Sequence, residues 1–324
     1  MFKKYIVLPI LCLSMFVVSS CGKFDDNMPV ENTKEYVAVI TKSVTSDFWK
    51  STAAGAKAAG TEYNLDVSFQ GPENEEDYET QNEMVYQAIE DGASVIVFSA
   101  VDYNANAQAI EDAIDQGVKV IIIDSDVNSD KVSCHISTDN YKAGRMVGQA
   151  LLIGNEESLK VGIVNFDKNS ENGQKREHGF RDYIADSKEV EIVASINVNS
   201  TTEAAKEGTI DMLKEHPEIN AIVTFNEWTS LGVGEAVKEQ DLSEKTKVVA
   251  FDSNILSVEM LEIGVVDALI VQNPYAMGYL GIEYAARIIN GENVNGTVVD
   301  TITTMITREN MFNPENQKVL FSFD

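Results

Sequence analysis

From Tyr36 onward the chain alternates short apolar runs with amphipathic segments, and this alternation limits its folds more than any other feature. Tyr36–Thr41, Asp66–Gln70, Ser94–Ser99, Lys119–Asp124 and Val132–Ser137 are rich in β-branched residues and have the length of buried strands. Helical periodicity falls between them, near Phe48–Glu62, Glu75–Glu90 and Ala105–Asp115. The pattern then restarts. Strands are expected at Lys160–Asn165, Val190–Val198, Ala221–Phe225, Lys247–Phe251 and Val266–Val271, with one last strand near Val298–Ile306. Helices are expected near Tyr141–Ile153, Gly173–Ala185, Thr202–Glu215, Ser230–Lys238, Ile255–Glu262 and Ala276–Ile289.

Strand-helix alternation implies an α/β fold with parallel sheets covered by helices on both faces. About eleven strands exceed what one compact open sheet holds at this length, so two doubly wound sheets are expected. Ligands of such sheets bind beyond the carboxyl ends of the strands. The residues that follow each strand are therefore the ones that matter for function.

Those positions lack the usual catalytic signatures. No G-x-x-x-x-G-K-[ST], G-x-S-x-G, H-E-x-x-H or C-x-x-C occurs in the 324 residues. The three histidines, His135, His178 and His216, are scattered and have no nucleophile or metal cluster beside them. Asp124-x-Asp126-x-Asn128-x-Asp130 imitates the start of a calcium loop, but Ser129 and His135 stand where such a loop needs glycine and glutamate. No metal and no cofactor is expected.

The strand ends instead carry aromatics beside amides, hydroxyls and single carboxylates. Ser46, Phe48 and Trp49 follow the first strand, and Asp124 and Ser125 end the fourth. Asn226 and Trp228, then Asp252, then Gln272 follow later strands. Sugars suit such a set: their C–H faces lie on aromatic planes, and their hydroxyls meet the paired oxygens and nitrogens of Asp, Asn and Gln. The competing explanation is local, because Asp, Asn and Ser after a strand also cap the next helix.

Charge narrows the partners. Lys and Arg total 25 against 52 Asp and Glu, for a net charge of −27, and no basic run appears. A nucleic-acid surface needs the opposite balance. Apolar residues make up 44%, enough for sizeable cores and too many for a disordered acidic chain. Cys12, Cys21 and Cys134 are too few for a disulfide scaffold.

The first residues resemble an export address. Met1-Phe2-Lys3-Lys4 is basic, Tyr5 to Val18 is almost wholly apolar, and Val18-Ser19-Ser20-Cys21-Gly22 follows. The apolar run is shorter than the ~20 residues that a spanning helix needs. Small residues directly before a cysteine resemble a bacterial lipobox, so Cys21 is the expected lipidation site, and Cys134 remains as the one free thiol. Residues 1–20 are then a signal peptide. Residues 21–35, polar and without periodicity, are a lipidated tether.

Beyond these single features, the chain from Glu35 to about Arg308 resembles a type I periplasmic solute-binding protein of the ribose/galactose-binding class, which feeds ABC importers. The segments that carry the resemblance are Val39-Ile40-Thr41 with Asp47-Phe48-Trp49, Val120–Asp124, His135–Asn140, Arg176–Phe180, His216–Ile219, Phe225-Asn226-Glu227, Val249–Asp252 and Ile270–Pro274. The resemblance implies two lobes joined by three crossovers, near Thr138-Asp139, Gln272-Asn273 and Val299–Thr303. One lobe would be 36–138 plus 273–301, the other 139–272 plus 302–324. It implies that Phe48 and Trp49 stack on a sugar ring while Asp124, Asn226, Asp252 and Gln272 bind hydroxyls, with Ser46 and Gln174 beside them. Two departures argue against ribose itself: Ser125 and Gln174 stand where ribose binders place arginines. Trp228 is expected to narrow the pocket.

The expected function is delivery of a monosaccharide or similar polyol to an ABC permease, by a monomeric, lipid-anchored, extracytoplasmic protein that performs no covalent chemistry. A sensory role before a receptor kinase uses the same pocket. An enzyme on a doubly wound fold is the third reading.

Overall fold

A computed structural model describes residues 34–154 and 158–321. The expected signal, the expected lipidation site Cys21 and nearly all of the expected tether lie outside the described residues. Among the described residues, no helix is long and apolar enough to cross a membrane.

The strands form two sheets of six. The first contains β1 (Tyr36–Ile40), β2 (Asp66–Gln70), β3 (Val95–Phe98), β4 (Lys119–Ile123), β5 (Cys134–Thr138) and β11 (Thr297–Thr301), in the order β11-β5-β4-β3-β1-β2. The second contains β6 (Leu159–Asn165), β7 (Val190–Asn197), β8 (Ala221–Thr224), β9 (Lys247–Phe251), β10 (Ala268–Val271) and β12 (Thr304–Thr307), in the order β12-β10-β9-β8-β6-β7. All pairs are parallel except β10 with β12. The orders superimpose position for position, so each strand of one sheet has a counterpart in the other.

The central strands are buried on both faces, and this is why they read as continuous apolar runs. Every residue of β3 and β8 is buried. Around the first sheet pack α1 (Asp47–Glu62), α2 (Tyr78–Glu90), α3 (Ala107–Asp115) and α9 (Pro274–Ile289). Around the second pack α4 (Asn140–Leu152), α5 (Glu171–Ile184), α6 (Thr202–Glu215), α7 (Glu227–Glu239), α8 (Ile255–Ile263) and α10 (Pro314–Leu320). Each sheet therefore has two cores, one per face.

Two helix contacts depend on missing side chains. A Cβ at Gly55 of α1 would lie 2.1 Å from the Tyr275 carbonyl oxygen of α9. One at Gly144 of α4 would lie 1.9 Å from the Arg176 carbonyl oxygen of α5. Both helix pairs pack backbone against backbone at these points.

The structure corrects two expectations. The run Val298–Ile306 is not one strand. It breaks at Ile302 and Thr303, so that β11 joins the first sheet and β12 the second. Its β-branched residues continue through the crossing, and Ile302 is exposed there, so nothing local marks the break. Helix α2 starts at Tyr78, not near Glu75, because the Asp77 carboxylate accepts from Thr80 N at 2.9 Å and caps it. Glu75 is thereby left in a loop, with a role described below. Helix α10 adds to the expected elements, and Asn313-Pro314 is an ordinary start signal for it.

Candidate functional site

The chain passes between the two sheets after β5, after β10 and between β11 and β12. The cleft between the lobes lies at the carboxyl ends of the strands. It is lined by Lys42, Ser46, Phe48, Trp49, Glu75 and Asp124 from the first lobe. The second lobe contributes Phe166, Asn172, Arg176, Asn226, Glu227, Trp228 and Asp252, and Gln272 lies at a crossing.

Eight of the ten expected site residues meet here: Ser46, Phe48, Trp49, Asp124, Asn226, Trp228, Asp252 and Gln272. Two do not. Gln174 is exposed on α5. Asn172 and Arg176, two residues either side of it, face the cleft. Residues four apart share a helix face, and the one midway between them points away. Ser125 is buried behind Asp124, where its N–H donates to Ser99 Oγ at 3.3 Å. Its hydroxyl finds no hydrogen-bond partner among the described residues.

A relay of polar contacts crosses the cleft floor. Gln272 donates from Nε2 to Asp252 Oδ1 at 2.7 Å. Its Oε1 accepts from Arg176 Nη2 at 2.7 Å and from Thr138 Oγ1 at 2.8 Å, which fixes the orientation of the amide. Arg176 Nη2 also lies 3.7 Å from Asp124 Oδ1. Asn140 Oδ1 and the Phe225 carbonyl accept from the same guanidinium at 2.8 and 2.7 Å, and the Phe251 ring lies beneath it at 4.3 Å. Asp124 accepts from Ser99 at 3.2 Å and from Asn172 Nδ2 at 3.1 Å.

This floor is strongly desolvated. Burial pushes the Asp252 carboxyl up to about 6, opposed mainly by Arg176. Burial also raises Asp124, against the pull of Lys42 and Arg176, and lowers Arg176.

The aromatic wall is held in place. Trp49 Nε1 donates to Glu75 Oε1 at 2.8 Å, and Phe48 meets the Trp49 ring edge to face, with centroids 4.8 Å apart. The other Glu75 oxygen accepts from Ser200 Oγ of the second lobe at 2.9 Å, and Asn226 Nδ2 donates to that hydroxyl at 2.7 Å. Lys42 Nζ donates across the cleft to Ser170 Oγ at 2.7 Å. The lobes are closed on each other.

Capping and site roles coincide in two residues. Ser46 Oγ accepts from Trp49 N, and Asn226 Oδ1 accepts from Thr229 N, so each caps its helix while lining the cleft. The expected set omitted Lys42, Glu75, Phe166, Asn172, Arg176 and Glu227. Lys42, Phe166 and Glu227 lie at the ends of β1, β6 and β8 and obey the same strand-end rule. Glu75 carries no strand-end signal, since helical periodicity runs through it.

Residues 37–293 match the periplasmic binding protein domain family, well over half of the chain. The chain belongs to that family. Membership places this binding protein's folded body outside the cytoplasm.

The D-ribose/D-allose-binding protein of Pseudomonas aeruginosa is 27% identical to it, across 91% of this chain and 97% of the relative. The ribose import binding protein of Bacillus subtilis is 24% identical, across 91% and 96%. Among solved structures, a carbohydrate transporter solute binding protein from Agrobacterium radiobacter, in complex with D-arabinose, superposes with a TM-score of 0.85. That protein is 28% identical, with 89% of this chain and 99% of the other covered. A sugar transporter from Clostridium phytofermentans is 34% identical, with a TM-score of 0.77 over 85% and 99%. These relatives are binding and transport proteins, and their likeness assigns this chain to binding without catalysis.

Proposed function

We propose that this protein captures a neutral monosaccharide or similar polyol between its lobes and hands it to an ABC permease, as a monomer tethered to the membrane through lipid on Cys21. One observation carries the reading. Asp124 and Asp252, one from each lobe, sit on the cleft floor beneath the Phe48–Trp49 wall and are joined through Arg176 and Gln272. A small molecule with an apolar face and several hydroxyls satisfies both walls. A ligand that touches both lobes favours closure through its higher affinity for the closed state. The ribose, allose and arabinose in the relatives' names support the class.

The lobes on this reading are 36–138 plus 273–301 and 139–272 plus 302–324. The site residues are the eight in the cleft, together with Lys42, Glu75, Asn172 and Arg176. Calorimetry against pentoses, hexoses and cyclitols tests the ligand class, and silence across the panel removes it. Loss of uptake on deletion of the protein tests the transport role. Cys21→Ala protein that still partitions with membranes and carries lipid elsewhere removes the anchor assignment.

A further inference from the structure

Helix α1 begins in the first lobe, and its first three N–H groups have no partners within the helix. Ser46 Oγ takes that of Trp49 at 3.3 Å. The other two are taken from across the cleft. Asp47 N donates to Glu227 Oε1 at 3.4 Å, and Phe48 N donates to Glu227 Oε2 at 3.1 Å. Glu227 opens α7 in the second lobe, is 6% exposed, and also accepts from Asn254 Nδ2 at 3.1 Å. One lobe's carboxylate thus completes the cap of the other lobe's helix.

We infer that Glu227 is a latch of lobe closure and that, on the sugar-binding reading above, it couples ligand affinity to proton uptake. The contact exists only when the lobes meet, because hinge opening carries α7 away from α1. It acts through Phe48, whose backbone it holds where the ring lines the cleft, so it is a positioning residue.

The coupling follows from what surrounds the carboxyl. It leaves water on closure, and the charged groups that act on it, Asp252 from the loop after β9 and Asp47 from α1, are both acidic. Lys50, the basic residue in the first turn of α1, is engaged by Asp47 at 2.9 Å. Lys42, Arg176, Glu75 and Asp124 line the same cleft. Burial, with Asp252 adding to it, outweighs the hydrogen bonds from Phe48 N and Asn254 Nδ2, which favour the carboxylate, and pushes Glu227 up to about 7 in the closed form. In the open form the group returns toward an ordinary glutamate, near 4.3. Closure therefore binds a proton. The gain is complete below the open-state value and is lost as pH rises through about 7.

The test titrates the full chain with D-allose and D-arabinose, then with the remaining pentoses and hexoses, in buffers of differing ionisation enthalpy. At pH 7 the wild type should take up about half a proton per ligand, and it should bind about ten- to twentyfold more tightly at pH 6 than at pH 8. Glu227→Gln keeps an acceptor for Phe48 N, so it should bind with at most the residual twofold slope expected of Asp252. Glu227→Ala should bind more weakly at every pH. A Gln variant with the wild-type slope and proton uptake, or an Ala variant with wild-type affinity, overturns the latch. If no sugar binds at any pH, the sugar reading falls and small-angle scattering of the ligand-free protein decides the latch. The wild type should then be more compact at pH 6 than at pH 8 and the Gln variant indifferent to pH; equal behaviour of the two overturns it.

Discussion

Asp124 and Asp252 are structural counterparts: each directly follows the third strand of its sheet, β4 or β9, and each adopts a left-handed backbone, with φ of 55° and 67°. Few residues other than glycine adopt this conformation, and Asp is among the more tolerant. The turn aims both carboxylates into the cleft from opposite lobes. Asp252→Gly and Asp252→Ala should both lose ligand affinity, by about ten- to a hundredfold for a charged hydrogen bond. The Gly variant should nonetheless be more stable than the Ala variant by about 1 kcal/mol, because alanine bears the left-handed strain. Urea titrations of the ligand-free variants compare them.

The same aspartate sets a pH dependence. Its folded value, about 6, is above that of a free aspartate, so the folded protein favours the protonated form. The stabilising contribution is full below about 4 and is lost as pH rises through about 6. Asp252→Asn should therefore be more stable than wild type at pH 8, by about 1–3 kcal/mol, with the margin closing by pH 4. Thermal melts across that range read it, and a margin independent of pH would remove the assignment.

Gln174 and Asn172 separate the expected site from the one the structure places. Gln174→Ala changes an exposed side chain and should leave affinity within about twofold. Asn172→Ala removes two 3.1 Å contacts to Asp124 and should weaken binding about tenfold. Calorimetry with the best sugar ranks them.

Gly144 controls Arg176 through the backbone. Gly144→Ala drives a methyl into the Arg176 carbonyl, so α5 must shift and carry the guanidinium away from Gln272. The cost is expected to be about 1–3 kcal/mol of stability. Ligand affinity should fall with it, although residue 144 does not line the cleft. Denaturation and calorimetry on one preparation test both effects.

Cys134 is fully buried on β5, and burial pushes its thiol up to about 12. With Cys12 and Cys21 replaced by serine, it should resist a disulfide reagent at pH 8 and react at once in denaturant. Rapid reaction of the native protein would contradict the burial.

The legible part of this protein was whatever its local chemistry expresses. β3 and β4 announced themselves as unbroken β-branched runs because both faces are buried. Ser46, Phe48, Asp124, Asn226, Asp252 and Gln272 were readable because parallel sheets present their strand ends at one edge. Glu75 is not legible as a loop residue because helical periodicity runs past the Asp77 cap. Gln174 enters the expected set only through the family resemblance, and the rotation of α5 that turns it outward is set by how α5 packs on α4, at Gly144 and Gly179.

The sequence alone determined two α/β sheets, an acidic exterior and a ligand edge of aromatics and carboxylates, since each is a sum of local preferences along the chain. The tertiary structure decided which strand ends face one another. It sent β11 and β12 to different sheets, joined Asp124 to Asp252 through Arg176 and Gln272, and placed Glu227 on a helix that starts 180 residues earlier. The contacts of Asp124 with Arg176 and of Glu227 with α1 arise only when two distant lobes close, and no neighbouring residue carries a trace of them.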